Sequence, residues 1–348
     1  MRTTKEIKIG NISIGGNNPI AIQSMTNTLT RDADKTIGQI KQLEEAGCEI
    51  VRVSVPDTES LEALKIIRKN TSLPLVADIH FDYKLAIGAA KYVDKLRINP
   101  GNIGDEEKIK QVVNAAKENG IPLRIGVNLG SLEKDIEKNY GLTAKALVES
   151  ALKNIKLLED NNFYDIVVSL KASDVPKTIK AYQMISKLTN YPLHLGITES
   201  GSLFTGTIKS SVGIGSLLSQ GIGDTIRVSL SADPVEEIKV AKQILQSLNL
   251  RRFGVEVTAC PTCARSNFDV AKITTEIEEA TKHIKTPLKI AIMGCAVNGP
   301  GEAKEADIGI VGGKDSHLLY KNGEILQKIQ ENEIIERILK EAKDEHQN

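Results

Sequence analysis

The sequence predicts an α/β protein: a (β/α)8 barrel followed by a small α+β domain. Three observations carry this expectation. Eight apolar, strand-like runs alternate with amphipathic stretches over about 230 residues, the rhythm of a parallel barrel. Several amphipathic stretches stop at Gly or Asn just before the next run, as at Gly47, Asn70 and Gly120. Past Leu250 the alternation breaks into fewer strands and a hairpin signal. A doubly wound open sheet is the other arrangement of the same alternation.

In chain order, Ile7–Ile14 alternates apolar with polar residues and stops at Gly15-Gly16, the pattern of a hairpin capping the barrel floor. The eight runs are Ile20–Met25, Glu49–Val55, Pro74–His80, Lys95–Asn99, Pro122–Asn128, Asp165–Lys171, Pro192–Thr198 and Thr225–Leu230. Three open with proline, where a first strand residue tolerates a missing N–H. Between and after them, 35–46, 59–69, 106–119, 144–160, 176–188 and 234–248 have helical spacing. In the tail, 253–258, 287–294 and 306–312 read as strands and 268–284 and 333–343 as helices. Asn322-Gly323 reads as a hairpin turn. The expected domains are 1–248 and 249–348.

Composition excludes several function classes. The 348 residues carry 45 basic and 45 acidic side chains, so no overall field draws the chain to nucleic acid or to a membrane surface. No apolar run approaches the ~18 residues of a membrane span, and the N-terminus lacks an apolar signal core. Four cysteines, three of them at metal-like spacing, suit a reducing, cytoplasmic compartment better than a disulfide framework.

The strand ends carry chemistry. Arg52/Ser54, Arg97/Asn99, Ser169/Lys171 and Arg227/Ser229 are spaced i, i+2, and Arg124/Asn128 is spaced i, i+4. Even spacing on a strand puts both residues on one face. One such pair is an ordinary solvated strand end. Five pairs in a barrel that should be packed with apolar side chains are harder to dismiss, because an unpaired buried charge is costly. Five cations against Asp78 and Glu199 predict a positive mouth in a neutral protein, hence a small ligand with several negative charges. Arginine forks suit phosphate oxygens. His80 shares a strand tip with Asp78, which is placed to orient its imidazole; a satisfied structural histidine is the plainer alternative. His194 sits early in its run and reads as packing. Lys209-Ser-Ser-Val-Gly213-Ile-Gly215-Ser216 falls where such barrels place a phosphate loop; an ordinary helix start is the alternative.

The remaining signal is Thr258-Ala-Cys260-Pro-Thr-Cys263, answered by Met293-Gly-Cys295-Ala-Val-Asn298-Gly-Pro-Gly-Glu302. A closed zinc site wants four nitrogen or sulfur ligands, and an iron–sulfur cubane usually takes four cysteines. Only three are local here, since Cys48 reads as a small buried hydrophobe. Three sulfurs with a weaker fourth ligand mark a reactive iron, and Glu302 is the nearest candidate oxygen. A zinc knuckle and a redox dithiol are the other readings.

With these residues in view, the chain resembles the 4-hydroxy-3-methylbut-2-enyl diphosphate synthase family in its bacterial two-domain form. The resemblance runs from about Thr4 to about Lys343. It rests on Gln23-Ser-Met-Thr26, Val51-Arg-Val-Ser54, Ala77-Asp-Ile-His80, Leu96-Arg-Ile-Asn-Pro-Gly-Asn-Ile-Gly104, Arg124-Ile-Gly-Val-Asn128, Thr198-Glu-Ser-Gly201 and the two cysteine motifs. It implies a [4Fe–4S] cluster on Cys260, Cys263, Cys295 and Glu302. It implies reductive ring opening of 2-C-methyl-D-erythritol 2,4-cyclodiphosphate with two electrons from flavodoxin or ferredoxin. It implies substrate contacts from Arg52, Arg97, Arg124, Asn128, Lys171, Thr198, Arg227 and Ser229, with Glu199 beside the reacting carbons. Asp78, His80 and Asn99 join the expected substrate site from their strand positions, and Glu302 the expected catalytic residues from its lability on iron. One geometric expectation follows. The eighth helix returns the chain about 22 Å toward the barrel floor, away from the mouth, so a homodimer in which each cluster domain covers its partner's mouth is expected.

Overall fold

The computed structural model describes residues 2–347 and divides into two compact units, one ending at Arg251 and the other starting at Arg252. The first unit opens with an antiparallel pair, β1 (Ile7–Ile9) and β2 (Ile12–Ile14). Ile7, Ile9 and Ile14 pack on Ala21, Ile50, Val76 and Val167, residues near the N-terminal ends of barrel strands, so the hairpin plugs the floor as expected.

Eight parallel strands follow: β3 (Ala21–Met25), β4 (Ile50–Ser54), β5 (Leu75–Ile79), β6 (Lys95–Ile98), β7 (Leu123–Asn128), β8 (Ile166–Lys171), β9 (His194–Leu195) and β10 (Thr225–Ile226). They lie in the order β8-β7-β6-β5-β4-β3-β10-β9, and a parallel bridge between Val168 and Leu193 joins the two ends. Closure leaves no exposed sheet edge. The last two strands are much shorter than the apolar runs Pro192–Thr198 and Thr225–Leu230 suggest. The backbones crowd beyond Leu195: a Cβ on Gly196 would stand 2.7 Å from the Arg227 carbonyl oxygen and 2.9 Å from Lys171 Nζ.

The helices form by simple local rules. Asp32, Asp57, Asp105, Thr143, Asp174 and Asp233 each cap a helix N-terminus through the side chain. Two short helices, Tyr83–Ala89 and Lys134–Tyr140, lie in stretches that carry no clear helical period. The candidate phosphate loop is a correction. Residues 209–216 lie inside helix Leu203–Leu218, and Gly213 is there because Ile197 leaves no room for a side chain, not to cradle an anion.

The second unit is a five-stranded sheet in the order β11 (Val255–Ala259), β12 (Leu288–Met293), β13 (Ile308–Val311), β14 (His317–Lys321) and β15 (Glu324–Ile329). The first three strands are parallel and the rest antiparallel. Asn322 and Gly323 both have positive φ, 49° and 83°, as the tight hairpin turn between β14 and β15 requires. Helices Val270–Thr281 and Ile334–Gln347 run beside this sheet, and Ile273, Ile277, Ile334 and Ile338 share one core with Ile290, Ile292, Ile308 and Ile310. Among the described residues no helix is long and apolar enough to cross a membrane.

Candidate active site

Strand register brings the expected cations together. Met25 pairs with Arg52, and Ser54, Asp78, Arg97 and Arg124 form one row across β4 to β7. Asn128 pairs with Lys171 on β7 and β8. Paired residues of parallel strands share a face, so the row is an inward ring, and Arg52, Asp78, Arg97, Asn99, Arg124 and Lys171 are all buried.

Asp78 anchors the ring. Its Oδ1 accepts from Arg97 Nη1 at 2.8 Å, and its Oδ2 lies 3.5 Å from Arg52 Nε. Burial pushes the Asp78 carboxyl up, but Arg52 and Arg97 together hold it well below the usual carboxylate range. Arg97 Nη1 also lies 2.6 Å from His80 Nε2, and Nη2 donates to the Gly126 carbonyl at 3.2 Å. A guanidinium only donates, so His80 Nε2 accepts. A Cβ on Gly126 would stand 2.3 Å from Arg97 Nε, so only glycine lets this guanidinium cross β7. Arg52 aims Nε and Nη2 at Met25 Sδ, 3.1 and 3.0 Å away; burial, with Arg227 and Arg97 repelling it, pushes it down to about 9. A thioether is a weak acceptor, so it orients Arg52 without neutralising it.

On the far side of Met25, Arg227 donates from Nε and Nη2 to Glu237, at 3.3 and 3.2 Å. Glu237, in the first turn of helix Pro234–Ser247, also accepts from Ser24 Oγ at 2.9 Å and the Leu230 amide at 3.0 Å. Asn99 Nδ2 donates to Ser131 Oγ at 2.8 Å. Asn128, Thr198, Arg227 and Ser229 are half-buried, and the Ser229 carbonyl accepts from Ser200 Oγ.

Two sequence expectations change. Glu199 is exposed, so the second carboxylate of the buried cluster is Glu237, which no local pattern marks. Glu199 instead sits at φ 46°, a left-handed conformation rare for a non-glycine residue and concentrated at functional sites. The barrel interior also gains a cation, one level below the ring. Lys95, buried two residues before Arg97 on the same face, carried the same even-spacing signal.

The barrel interior is therefore short of negative charge: among the described residues Arg52, Lys95, Arg97, Arg124, Lys171 and Arg227 face only Asp78 and Glu237. Arg124 Nε and Nη1 and Arg97 Nε are buried N–H donors with no partner. Burial first, then neighbouring arginines, holds Arg124 and Lys171 well below their ordinary values. Buried donors of one sign without protein partners are suited to the oxygens of an anion.

The thiols gather at one edge of the second unit. Cys260 follows β11 directly; its amide donates to Ile292 O at 3.1 Å, and its Sγ accepts from the Gly294 amide at 3.1 Å. Asn267 donates from its amide and its Nδ2 to Gly294 O, at 2.8 and 3.2 Å, which clamps loop 260–267 against the turn bearing Cys295. A Cβ on Gly294 would meet Ser266 Oγ at 2.3 Å. All three cysteines are free thiols, Cys263 exposed and the others half-buried, and Glu302 is exposed on helix Gly299–Lys304. Among the described residues no three His, Cys, Asp or Glu side chains stand close enough to hold one metal ion. A zinc knuckle would set its sulfurs ~3.8 Å apart. A cubane binds each thiolate at a separate iron, and three thiols on neighbouring loops with a carboxylate on helix Gly299–Lys304 make a donor set that fits one. Cys48 stands apart from this set: buried, its thiol is pushed up to about 12 by that burial, as an inert core residue should be.

Fold and site together define a (β/α)8-barrel enzyme with a cation-lined interior, followed by a thiol-bearing domain. Residues 4–242 match the model of the GcpE TIM-barrel domain and residues 256–344 that of the GcpE protein C-terminal domain. The chain belongs to the GcpE family. A 4-hydroxy-3-methylbut-2-en-1-yl diphosphate synthase (flavodoxin) from Caldanaerobacter subterraneus subsp. tengcongensis is 61% identical over 342 residues, covering 98% of this chain and 96% of that protein. The protein of the same name from Clostridium acetobutylicum is 55% identical over 340 residues, covering 97% of each chain. Among solved structures, a Yersinia pestis dihydropteroate synthase in a sulfonamide drug complex aligns with a TM-score of 0.52 at 10% identity, over 71% of this chain and 100% of that one. That likeness is one of fold alone.

Proposed function

We propose that this chain forms 4-hydroxy-3-methylbut-2-enyl diphosphate by reductive ring opening of 2-C-methyl-D-erythritol 2,4-cyclodiphosphate. The observation that carries the reading is the set of buried, partnerless guanidinium donors in a barrel with six cations and two carboxylates. The cyclic diphosphate supplies the missing negative charge. Arg52, Arg97, Arg124, Arg227 and Lys171 hold its phosphates, and Asp78 and Glu237 fix the guanidiniums so that little reorganisation is needed on binding. His80, Asn99, Asn128, Thr198 and Ser229 line the rim and orient the ring. Glu199, in the loop four residues past β9 and at φ 46°, stands beside the reacting carbons.

Cys260, Cys263, Cys295 and Glu302 would hold a [4Fe–4S] cluster, which supplies low-potential electrons one at a time. Reduction takes two electrons and a proton, breaks one C–O bond of the ring and releases a hydroxyl as water; flavodoxin, which the relatives' names carry, is the donor, with ferredoxin the alternative. Glu302 would bind iron through oxygen, a harder and more labile attachment than a thiolate, and its side chain is exposed on helix Gly299–Lys304. Anaerobically purified protein should be brown, with about four irons and matching sulfide per chain, and should turn over the cyclic diphosphate with reduced flavodoxin. Colourless protein carrying one zinc would overturn the reading.

The same reading assigns a homodimer whose sites are shared. Arg251, the last residue of the barrel unit, donates to Ile20 O at 2.8 Å and pairs with Glu49 at 2.7 Å, both at the floor. The chain thus leaves the barrel at the end opposite the cations, which supports a C-terminal unit serving the partner's mouth. Mixing Cys295→Ala subunits with Arg124→Ala subunits should restore part of the activity, and no rescue in verified mixed dimers would count against trans assembly.

A further inference from the structure

Beneath the ring lies a second polar layer that the reaction as described does not use. Lys95, at the start of β6, is fully buried and donates from Nζ to Gln23 Oε1 at 3.3 Å, reaching β3 across the barrel. His194, on β9, is equally buried; its Nδ1 lies 2.8 Å from Thr225 Oγ1, and its Nε2 has no partner. Gln23 Nε2 has no partner either. Among the described residues this layer holds no carboxylate, whereas the one above it holds Asp78 and Glu237.

The groups facing Lys95 set its state. From β3 comes the neutral amide of Gln23; from β4 and β7 come Arg52 and Arg124, both positive; from β9 comes His194, which Lys95 itself acts on. Asp78, on the adjoining β5, is engaged one level up by Arg97 and Arg52. An ammonium in such a place is shut off from solvent and, among the described residues, has no carboxylate facing it, and a buried amine so placed sheds its proton. Burial, and after it Arg124 and Arg52, holds Lys95 well below the ordinary lysine range.

We propose that Lys95 is a positioning residue that is uncharged in the empty barrel and takes up one proton from solvent when the diphosphate settles in the layer above it. This rests on the ligand reading given under the proposed function. The dianion reverses the sign of the local field, so the sixth positive charge is completed only when something is there to neutralise it. The empty barrel is thereby spared part of its self-repulsion. Binding becomes linked to pH: the complex holds one more proton than its parts, so affinity falls as pH rises. The proton stays below the ligand, and no bond of the ligand is made or broken.

The test is calorimetric titration of the complete protein at pH 8 in two buffers of different ionisation enthalpy. The ligands are the cyclic diphosphate and, separately, sulfate, neither of which has a proton to exchange near neutral pH. Lys171 is also buried among cations, so the decisive quantity is the difference between proteins. Wild type should take up about one proton more than Lys95→Met. Its affinity should weaken up to about tenfold more per pH unit. Lys95→Arg, whose charge is permanent, should lose the same proton yet bind more tightly than wild type at pH 9, an outcome a purely structural lysine would not give. Equal proton counts in wild type and both variants, or no uptake by wild type with either ligand, would overturn the proposal. Sulfate binding with the expected difference, beside no binding of the cyclic diphosphate, would sink the substrate reading and leave this one standing.

Discussion

The barrel holds its cations on and just beyond its strands, whereas the C-terminal unit holds its thiols on loops. In the barrel, register sets the level of each functional side chain, and Asp78, Glu237 and Gly126 fix where the guanidiniums point. At the sulfur edge Cys260 is tied down by the Gly294 amide, while Cys263 and Glu302 face solvent. The difference teaches what each site needs from its ligand. A charge clamp must be rigid before its ligand arrives, because preorganised dipoles cost no reorganisation. A cluster brings its own geometry, so its protein ligands can be loosely presented and drawn in as it binds.

The sharpest way to break this comparison is Arg124→Leu. Removing a fully buried, partly unpartnered guanidinium should stabilise the empty protein by about 1–4 kcal/mol, while affinity for the cyclic diphosphate falls about 30- to 1,000-fold. Urea melts and calorimetry read the two effects, and a variant that loses both stability and affinity would mean that Arg124 is a structural residue.

Asp78→Asn should act in the opposite sense. It strands Arg52 and Arg97 without their counterion and should cost about 3–5 kcal/mol. Because the folded Asp78 value lies well below 3.8, its contribution is complete above that pH and is lost as pH falls through the folded value. Acid unfolding should therefore begin at lower pH in wild type than can be explained once Asp78 is replaced: the variant's stability should depend less on pH below 3.8.

The smallest effect sharpens the contrast rather than breaking it. Lys95 and Lys171 sit well below their unfolded value of 10.5, so the unfolded chain binds more protons than the folded one and stability should rise with pH up to that value. Each lysine contributes up to about 1.4 kcal/mol per pH unit within its window. Cys48 works against this above 9.0, where the unfolded thiol ionises and the folded one does not. Melts between pH 7 and pH 9 should show the rise, and it should shrink in Lys95→Met.

Much of the barrel was legible because its signals are local. Alternation marks the strands, and even spacing alone puts Arg52, Arg97, Arg124 and Lys171 inside. What was not legible depends on distant contacts. Glu237 lies on a helix ten residues past Arg227, and only the folded barrel brings them together. The glycines of 209–216 look the same in a sequence whether they cradle an anion or, like Gly213, make room for a neighbour such as Ile197. The ends of β9 and β10 were overread because apolar residues there pack without hydrogen-bonding as strands. Lys95 was missed for a different reason: its spacing was plain, but it sits in a deeper layer than the strand ends.

The most direct test of a clamp complete before its partner site is calorimetric titration of the cyclic diphosphate into cluster-free Cys295→Ala protein. If the barrel alone carries recognition, the dissociation constant should stay within about tenfold of wild type although turnover is gone. Loss of binding in that folded variant would contradict the account, since it would place recognition at the sulfur edge rather than among the buried arginines.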